Sequence, residues 1–334
     1  MVNNKTIQLM GFVEFRETIK ESVKEVIGEQ YKVDISHVIK NNSIELDGLI
    51  ILKENERITP NIYLNSYYEK YLGGDSVEEM VEEIVGIYMN TMEEGERESL
   101  GIQYEFNEMK SCIIYRLVNY DKNKKLLHEV PHFRFLDLAV TFHCLVKNSE
   151  DGIGMIRITN EHLKSWNTDL EELKEIAKTN TPSIFPPVVK NMNEVILDIF
   201  KKDIQLSVDS RTNLNDTCKE FELSAEDLLE EMLEGMGQHK SADMYVVSNT
   251  KGINGASCLL YPTVIKNLAD QLSTDFYILP SSIHEIILVK DNGQLNKNLL
   301  NEMVQDVNRN QVPEEEILSN SVYFYSHERD LISM

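Results

Sequence analysis

Residues 244–293, MYVVSNTKGINGASCLLYPTVIKNLADQLSTDFYILPSSIHEIILVKDNG, form the most concentrated run of apolar and β-branched residues in the chain. Residues 245–247 favour a strand, because β-branched and aromatic side chains suit a pleated, half-buried surface. Apolar residues at three- and four-residue spacing between 260 and 272 predict a helix. Residues 276–279 and 286–289 predict two more strands, which a short polar loop connects.

The turn after the first of these strands contains Asn249, Gly252, Asn254 and Gly255. Asn and Gly tolerate positive φ at little cost, so they are typical of tight turns. A glycine turn between a strand and a helix also suits a backbone nest for a small anion, which makes these four residues candidate ligand-binding residues. The dinucleotide pattern GxGxxG and the phosphate-loop pattern GxxxxGK[ST] are both absent. We therefore favour structural turn residues over a ligand site.

The loop at 280–285 contains Ser281, Ser282, His284 and Glu285, which are the candidate catalytic residues. A serine that a neighbouring histidine deprotonates is a common nucleophile. Adjacency in sequence does not place a hydroxyl against an imidazole, however, and such loops also serve as connections whose side chains bond local backbone. We favour the structural interpretation and assign no catalytic residue.

The segment His128-Glu129-Val130-Pro131-His132 matches the HExxH pattern of zinc proteases. That pattern works on a continuous helix, which places both imidazoles on one face next to the metal. Pro131 has no amide hydrogen and clashes with the preceding turn, so it disfavours the helix. We reject His128, Glu129 and His132 as metal ligands, and we expect no metal and no cofactor.

The charge balance is strongly acidic, with 33 Lys and Arg residues against 56 Asp and Glu residues and a formal net charge of −23. Such a field repels nucleic acid and anionic membranes, so we expect neither as a partner. A basic protein partner, of unknown identity, is compatible with this charge. A possible helix-turn-helix at 213–233 is rejected because its second helix is acidic.

The four cysteines, Cys112, Cys144, Cys218 and Cys258, are scattered and form no CxxC pair. This spacing indicates reduced core thiols and not a disulfide framework or a zinc site. No run approaches 18 apolar residues, so no membrane-spanning helix is expected. The first 15 residues do not have the pattern of a secretory signal. A cytoplasmic location is the simplest expectation.

The whole chain predicts an α+β protein with mixed or antiparallel sheets covered by amphipathic helices, in two or three compact segments. The segments are expected at 1–95, 108–190 and 191–334, with a polar linker at 91–107. The clearest elements are two hairpins, two amphipathic helices, a helix ending at Pro182 and a short edge strand. The hairpins are expected at 31–39 with 44–52 and at 136–146 with 153–159. The amphipathic helices are expected at 10–28 and from 76 onward, the helix ending at Pro182 at 168–182, and the edge strand at 322–325.

Several stretches resemble domain-of-unknown-function family 5688, a set of uncharacterised bacterial proteins. They are MYVVSNTKGINGASCLLYP, DFYILPSSIHEIILV, VNRNQVPEEEILSNSVYFY, ITPNIYLNSYYEKYLGG, LVNYDKNKKLLHEVPHFRFLDLAVTF and WNTDLEELKEIAKTNTP. The order of elements resembles, more faintly, domain-of-unknown-function family 1444. Neither resemblance implies an activity, a cofactor or a site residue. The first implies a bacterial cytosolic protein that is intact at both ends.

The function expected from these observations is that of a non-enzymatic interaction or regulatory protein. Its binding surface would be formed by the loops at 249–255 and 280–285, brought together by the C-terminal fold. The alternative is a hydrolase or small-ligand enzyme built on the same loops, with Ser281 or Ser282 as nucleophile and His284 as base. The two hypotheses differ in whether the His284 ring lies within hydrogen-bond distance of a serine hydroxyl.

Overall fold

The computed structural model describes residues 9–53, 59–98, 105–148, 153–211 and 244–334. They fall into two compact units, Met1–Tyr104 and Glu105–Met334. The predicted α+β class is confirmed, and every strand pairing recorded within these ranges is antiparallel. The expectations for Cys218 and for a helix-turn-helix at 213–233 lie outside the described residues.

Unit 1 is a three-stranded sheet packed against helices. The predicted hairpin is present, and its strands pair in regular register from Tyr31 opposite Lys53 to Ile39 opposite Glu45. The predicted helix that starts near residue 76 is present and continues to Glu98, so it includes the first eight residues of the linker expected at 91–107. The elements are α1 Phe12–Ile27, β1 Tyr31–Ile39, β2 Glu45–Lys53, β3 Asn61–Tyr63, α2 Leu64–Leu72 and α3 Val77–Glu98.

The core of unit 1 is formed by the apolar stripe of each helix and the inward face of the sheet. Phe15, Ile19 and Val23 of α1 lie on one stripe, as their three- and four-residue spacing requires, and all three are buried. They belong to one cluster with Leu49 and Ile51 of β2. Each such side chain contributes roughly 1.5 to 3 kcal/mol when it leaves water.

Unit 2 contains a four-stranded sheet centred on its longest strand. The strands are β4 Ile113–Asn119, β5 His132–Phe135, β6 Leu138–Asn148 and β7 Ile153–Arg157. β6 pairs with β4 along one edge. β5 and β7 pair with successive parts of β6, so they share its other edge. The hairpin predicted at 136–159 is confirmed, whereas β5 was not predicted.

The second sheet of unit 2 has six strands in the order β13-β12-β10-β11-β9-β8. Three of them are the strands predicted at 244–293. The strand predicted at an edge, β12, instead lies between β10 and β13, and β13 forms the edge. The strands are β8 Pro187–Asn191, β9 Met244–Asn249, β10 Phe276–Leu279, β11 Ile286–Lys290, β12 Tyr323–Ser326 and β13 Leu331–Ser333.

The helices of unit 2 vary from single turns to long amphipathic segments. The helix predicted between residues 260 and 272 begins only at Val264, because residues 255–260 form a 3-10 helix and Pro262 follows it. The helices are α4 Phe106–Met109, α5 Lys124–Leu127, α6 Asn160–Trp166, α7 Leu170–Ile184, α8 Met192–Arg211, α9 Val264–Leu272 and α10 Lys297–Asn310.

Helix α7 continues past Pro182, so the helix end predicted there was wrong. A proline removes one backbone hydrogen bond and usually breaks a helix. Here tertiary contacts hold the turn. The Thr181 hydroxyl donates to the carbonyl of Ala177 at 2.6 Å and accepts the Tyr115 amide of β4 at 3.1 Å.

The two sheets of unit 2 are joined at Asp137, the residue before β6. Its carboxylate accepts hydrogen bonds from the hydroxyls of Tyr323 and Ser319. Nearby, the Asn119 side-chain amide donates to the carbonyl of Leu318 at 2.9 Å. The expected boundary between segments 108–190 and 191–334 consequently falls inside one compact unit.

Asp137→Ala is expected to destabilise unit 2 by about 2 to 4 kcal/mol, because it leaves two buried hydroxyls without their acceptor. Tyr323 and Ser319 are both 0% exposed. Urea unfolding followed by circular dichroism measures the change. Asp121→Ala is the control, since that carboxylate pairs with Lys124 at the surface and should change stability by less than about 0.5 kcal/mol. Equal losses in both variants would contradict the role given to Asp137.

Candidate functional site

The loops at 249–255 and 280–285 do meet in the structure. The Ala256 amide donates to the carbonyl of Ile283 at 3.2 Å. The Ser248 hydroxyl donates to the carbonyl of His284 at 2.8 Å. Gly255 lies so close that a Cβ there would be 2.4 Å from the His284 carbonyl oxygen and 2.1 Å from the Ser248 hydroxyl. The junction is therefore closely packed backbone with no space for a side chain at 255.

The candidate ligand residues of the turn bond to other groups of the protein. Asn249 accepts the Lys251 amide at 2.9 Å through its side chain, and its carbonyl accepts the Gly252 amide at 3.0 Å. The Asn254 amide points at Nδ1 of His284 at 3.4 Å. Gly252 and Asn254 both have positive φ, as their residue types predicted. Of the amides that an anion nest would present, those of Lys251 and Gly252 are thus donated within the turn, and that of Asn254 is donated to His284 of the other loop.

The candidate catalytic side chains lie close together without forming a nucleophile–base pair. The Ser282 hydroxyl accepts the backbone amide of His284 at 3.0 Å. The His284 ring faces the Asn254 amide with Nδ1 and Glu316 with Nε2, the latter at 3.4 Å. Burial raises the pKa of Glu285, which also bonds the Ser282 hydroxyl. For Ser281, the backbone carbonyl accepts the amide of residue 318.

The HExxH residues do not share a helix. His128 follows the last residue of α5, and His132 is the first residue of β5. Between them the carbonyls of His128 and Glu129 accept hydrogen bonds from Asn160. Within the ranges that the structure describes, no three His, Cys, Asp or Glu side chains gather as a metal site.

A surface cavity of about 260 Å³ lies beside β12, β13 and α9. Its polar wall is Asp330, which accepts the Tyr325 hydroxyl at 2.7 Å and pairs with Lys266 at 3.3 Å. Thr263 and Asp330, both in this wall, have positive φ, and for a β-branched threonine this is strained. The volume is below the range usual for ligand pockets, about 300 to 1,000 Å³.

A third group of polar residues, which the sequence did not reveal as a site, lies on one face of the β6 sheet. The register places Arg116 of β4 opposite Thr141 of β6, and Arg157 of β7 opposite His143 of β6. Directly opposed residues project to the same face, as do residues two apart along a strand. We call Arg116, Thr141, His143 and Arg157 the basic face.

Three atoms of the basic face are buried without a hydrogen-bond partner in the protein. They are Nε of Arg116, Oγ1 of Thr141 and Nδ1 of His143. Thr141 is only 2% exposed and His143 only 5% exposed, whereas Arg116 is half-buried. Buried polar groups in proteins are nearly always hydrogen-bonded, so three buried polar atoms without a partner on one face are unusual.

On the basic face, Arg116 is positively charged and the imidazole of His143 is neutral. Burial lowers the pKa of His143 well below 6.5, and the charges of Arg116 and Arg157 lower it further. Burial also lowers the pKa of Arg116 to about 10, with a further contribution from Arg157. Arg116 is therefore still protonated at neutral pH. Within the described part of the chain it has no ion pair with a carboxylate.

The sequence did contain part of this signal. Residues 112–119, CIIYRLVN, and 136–146, LDLAVTFHCLV, both have the composition of buried strands, yet the first contains Arg116 and the second contains His143. Charged residues are almost never buried unless they are paired. The missing information was the cross-strand register, which sets these residues side by side.

The family model of DUF5688, described as a family of unknown function, matches residues 12–327. The chain belongs to this family. The match confirms the resemblance that the sequence stretches indicated, and the fainter resemblance to family 1444 stays a prediction. No curated protein and no solved structure matches the chain. In the described ranges, no helix combines the length and the apolar composition needed to cross a bilayer.

Gly255→Ala is expected to destabilise unit 2 by more than about 2 kcal/mol, because the added methyl overlaps backbone that cannot move away. Gly252→Ala is the matched control: its φ of +66° costs roughly 1 to 2 kcal/mol, but the added Cβ meets open space. Thermal unfolding of both variants measures which substitution destabilises unit 2 more. A larger loss for Gly252→Ala would contradict the close packing described for the loop junction.

His143 is expected to make unit 2 sensitive to mild acid. The unfolded chain has an ordinary imidazole with a pKa near 6.5, whereas the folded protein holds His143 neutral. The contribution of His143 to the free energy of unfolding is fully present above about pH 6.5. As the pH falls from there towards the folded pKa, this contribution decreases by up to about 1.4 kcal/mol per pH unit. Urea titrations between pH 7.5 and about 5 should show a steeper loss for wild type than for His143→Gln. Parallel curves would refute the neutral buried imidazole.

Proposed function

We propose that this chain is a non-enzymatic regulatory or interaction protein of the bacterial cytosol, and that it binds a small anion on the basic face. The ligand class is a carboxylate or a phosphate group. The observation that carries the proposal is the buried Nε of Arg116, which lies beside two other unpartnered buried atoms and has no carboxylate in reach.

An anion would supply what the basic face lacks. A buried charge without a partner is strongly destabilising, and a carboxylate or phosphate removes that cost. The arginine guanidinium presents a planar fork that matches both groups in bidentate geometry. The hydroxyl of Thr141 and the neutral ring of His143 can each donate one further hydrogen bond. Because Arg116 is only half-buried, part of its side chain stays open to solvent.

The overall charge limits the size of the ligand. With 56 acidic against 33 basic residues, the chain repels polyanions over distance. A small anion carries little charge and is held by short-range contacts, whereas nucleic acid or an anionic membrane would meet repulsion across a wide area. A basic protein partner remains compatible with the acidic surface.

The alternative, a hydrolase or small-ligand enzyme at the two C-terminal loops, receives less support from the geometry. A serine nucleophile needs its hydroxyl against a base. The Ser282 hydroxyl instead bonds the His284 amide, and the ring nitrogens of His284 face Asn254 and Glu316. Hydrolysis of ester substrates by wild type that Ser282→Ala abolishes would favour this alternative.

Inorganic phosphate and a dicarboxylate are expected to raise the melting temperature of wild type relative to chloride at equal ionic strength. A ligand at 100 times its Kd stabilises by about 2.7 kcal/mol. For a domain of this size, each kcal/mol corresponds to about 2 to 4 °C. Arg116→Met should lose this response, and without anion it should be as stable as wild type or more so, because an uncompensated charge is removed.

Arg134→Met is the matched control, since Arg134 belongs to the same sheet but is exposed and lies over the Tyr120 ring. It should retain the anion response. Equal stabilisation of wild type and Arg116→Met by phosphate would refute the site. A large destabilisation of Arg116→Met in chloride would assign the arginine a purely structural role.

A further inference from the structure

Two of the four cysteines lie side by side at the start of the β4–β6 ladder. Ile113 is directly opposite Cys144, and Cys112 is the residue before Ile113. Opposed residues of an antiparallel pair have Cα atoms about 4.5 to 5.5 Å apart. Cys112 is one residue further along, about 3.3 Å, so its Cα lies diagonally across from that of Cys144 at roughly 6 Å, within the range of about 4.4 to 6.8 Å that a disulfide requires. The two thiols are close enough for each to shift the pKa of the other, and the Cys112 thiol donates a hydrogen bond to the carbonyl of Met109 at 3.1 Å.

The two thiols have different surroundings. Cys112 is half-buried and reaches solvent, whereas Cys144 is 1% exposed. The Cys144 thiol, and then the backbone amides of Cys112 and Leu145, favour the Cys112 thiolate and lower its pKa to about 7. The neighbouring Cys112 sulfur and burial raise the pKa of Cys144. Cys112 is thus the nucleophilic thiolate, and Cys144 is a protonated neighbour behind it.

We propose that Cys112 and Cys144 form a redox-active dithiol, which a hydroperoxide converts into an intramolecular disulfide. This site is separate from the basic face, because residues 143 and 144 project to opposite sides of β6. Cys258 provides the contrast within the same unit. It is fully buried, and burial raises its pKa to about 12, so it should not react.

The chemistry balances with hydrogen peroxide as the oxidant. The Cys112 thiolate attacks one peroxide oxygen, so an S–O bond forms, the O–O bond breaks, and the released hydroxide takes a proton to become water. Cys112 is now a sulfenic acid. The Cys144 sulfur then attacks the Cys112 sulfur. The S–S bond forms, the S–O bond breaks, and the hydroxyl leaves as water with the Cys144 proton. Two thiols are oxidised and one peroxide is reduced to two waters.

The test uses the folded full-length chain, treated with hydrogen peroxide, alkylated under denaturing conditions and digested with trypsin. The sequence places the two thiols in separate tryptic peptides, residues 111–116 and 135–147. We expect these peptides to be recovered as a disulfide-linked pair that dithiothreitol separates, while Cys258 remains fully alkylated. In Cys144→Ala, a sulfenic-acid probe should label Cys112 instead. In Cys112→Ser, Cys144 should remain alkylated.

Several outcomes would overturn the proposal. They are full alkylation of Cys112 and Cys144 after peroxide, a linked pair that forms only when urea is present, or a linked pair between two chains. Over-oxidation of Cys112 without a linked peptide in wild type would also refute the role of Cys144. If Cys144→Ala fails to fold, the wild-type peptide map and Cys112→Ser still decide the question.

Discussion

Strand β6 is the constraint on which unit 2 depends. All seven residues from Leu138 to Cys144 are buried, because β6 pairs along both edges and is covered on both faces. A strand in this position tolerates apolar side chains on either face. On one face the side chains are apolar: Val140, Phe142 and Cys144. On the other, Thr141 and His143 bring polar atoms into a place where the protein offers them no partner. This conflict between burial and polarity marks the basic face more clearly than any sequence motif.

The sequence predicted those elements whose signal is local. Helix α1, the β1–β2 hairpin and strands β9 to β11 follow from spacing and turn residues, and their positions agree with the structure within a few residues. The features that were missed depend on distant partners. Pro182 is accommodated because Thr181 bonds β4. The juxtaposition of Arg116, Thr141 and His143 requires the register of three strands, and no local pattern encodes it.

The C-terminal loops and the basic face illustrate two kinds of polar cluster. At 249–255 and 280–285, the hydroxyls, amides and ring nitrogens described above bond neighbours, and one buried atom, the side-chain oxygen of Asn254, has no partner. Gly255 is needed for the backbones to approach. A cluster of this kind stabilises a fold. The basic face lacks partners for three buried atoms, and this is why we propose that an anion binds there. The binding surface expected at these two loops stays a prediction from the sequence, whereas our proposal places anion binding on the basic face.

The contact between Asp137 and Tyr323 spans 186 positions of sequence, and that between Asn119 and Leu318 spans 199. A ribosome releases a chain from its N-terminus, and domains generally fold as units in that order. The core of unit 1 is complete by residue 92, so it can close early in synthesis. Unit 2 cannot join its two sheets until the final strands emerge. Until then Asp137 and Asn119 lack these partners, and we expect the nascent chain to have most need of a chaperone in this interval.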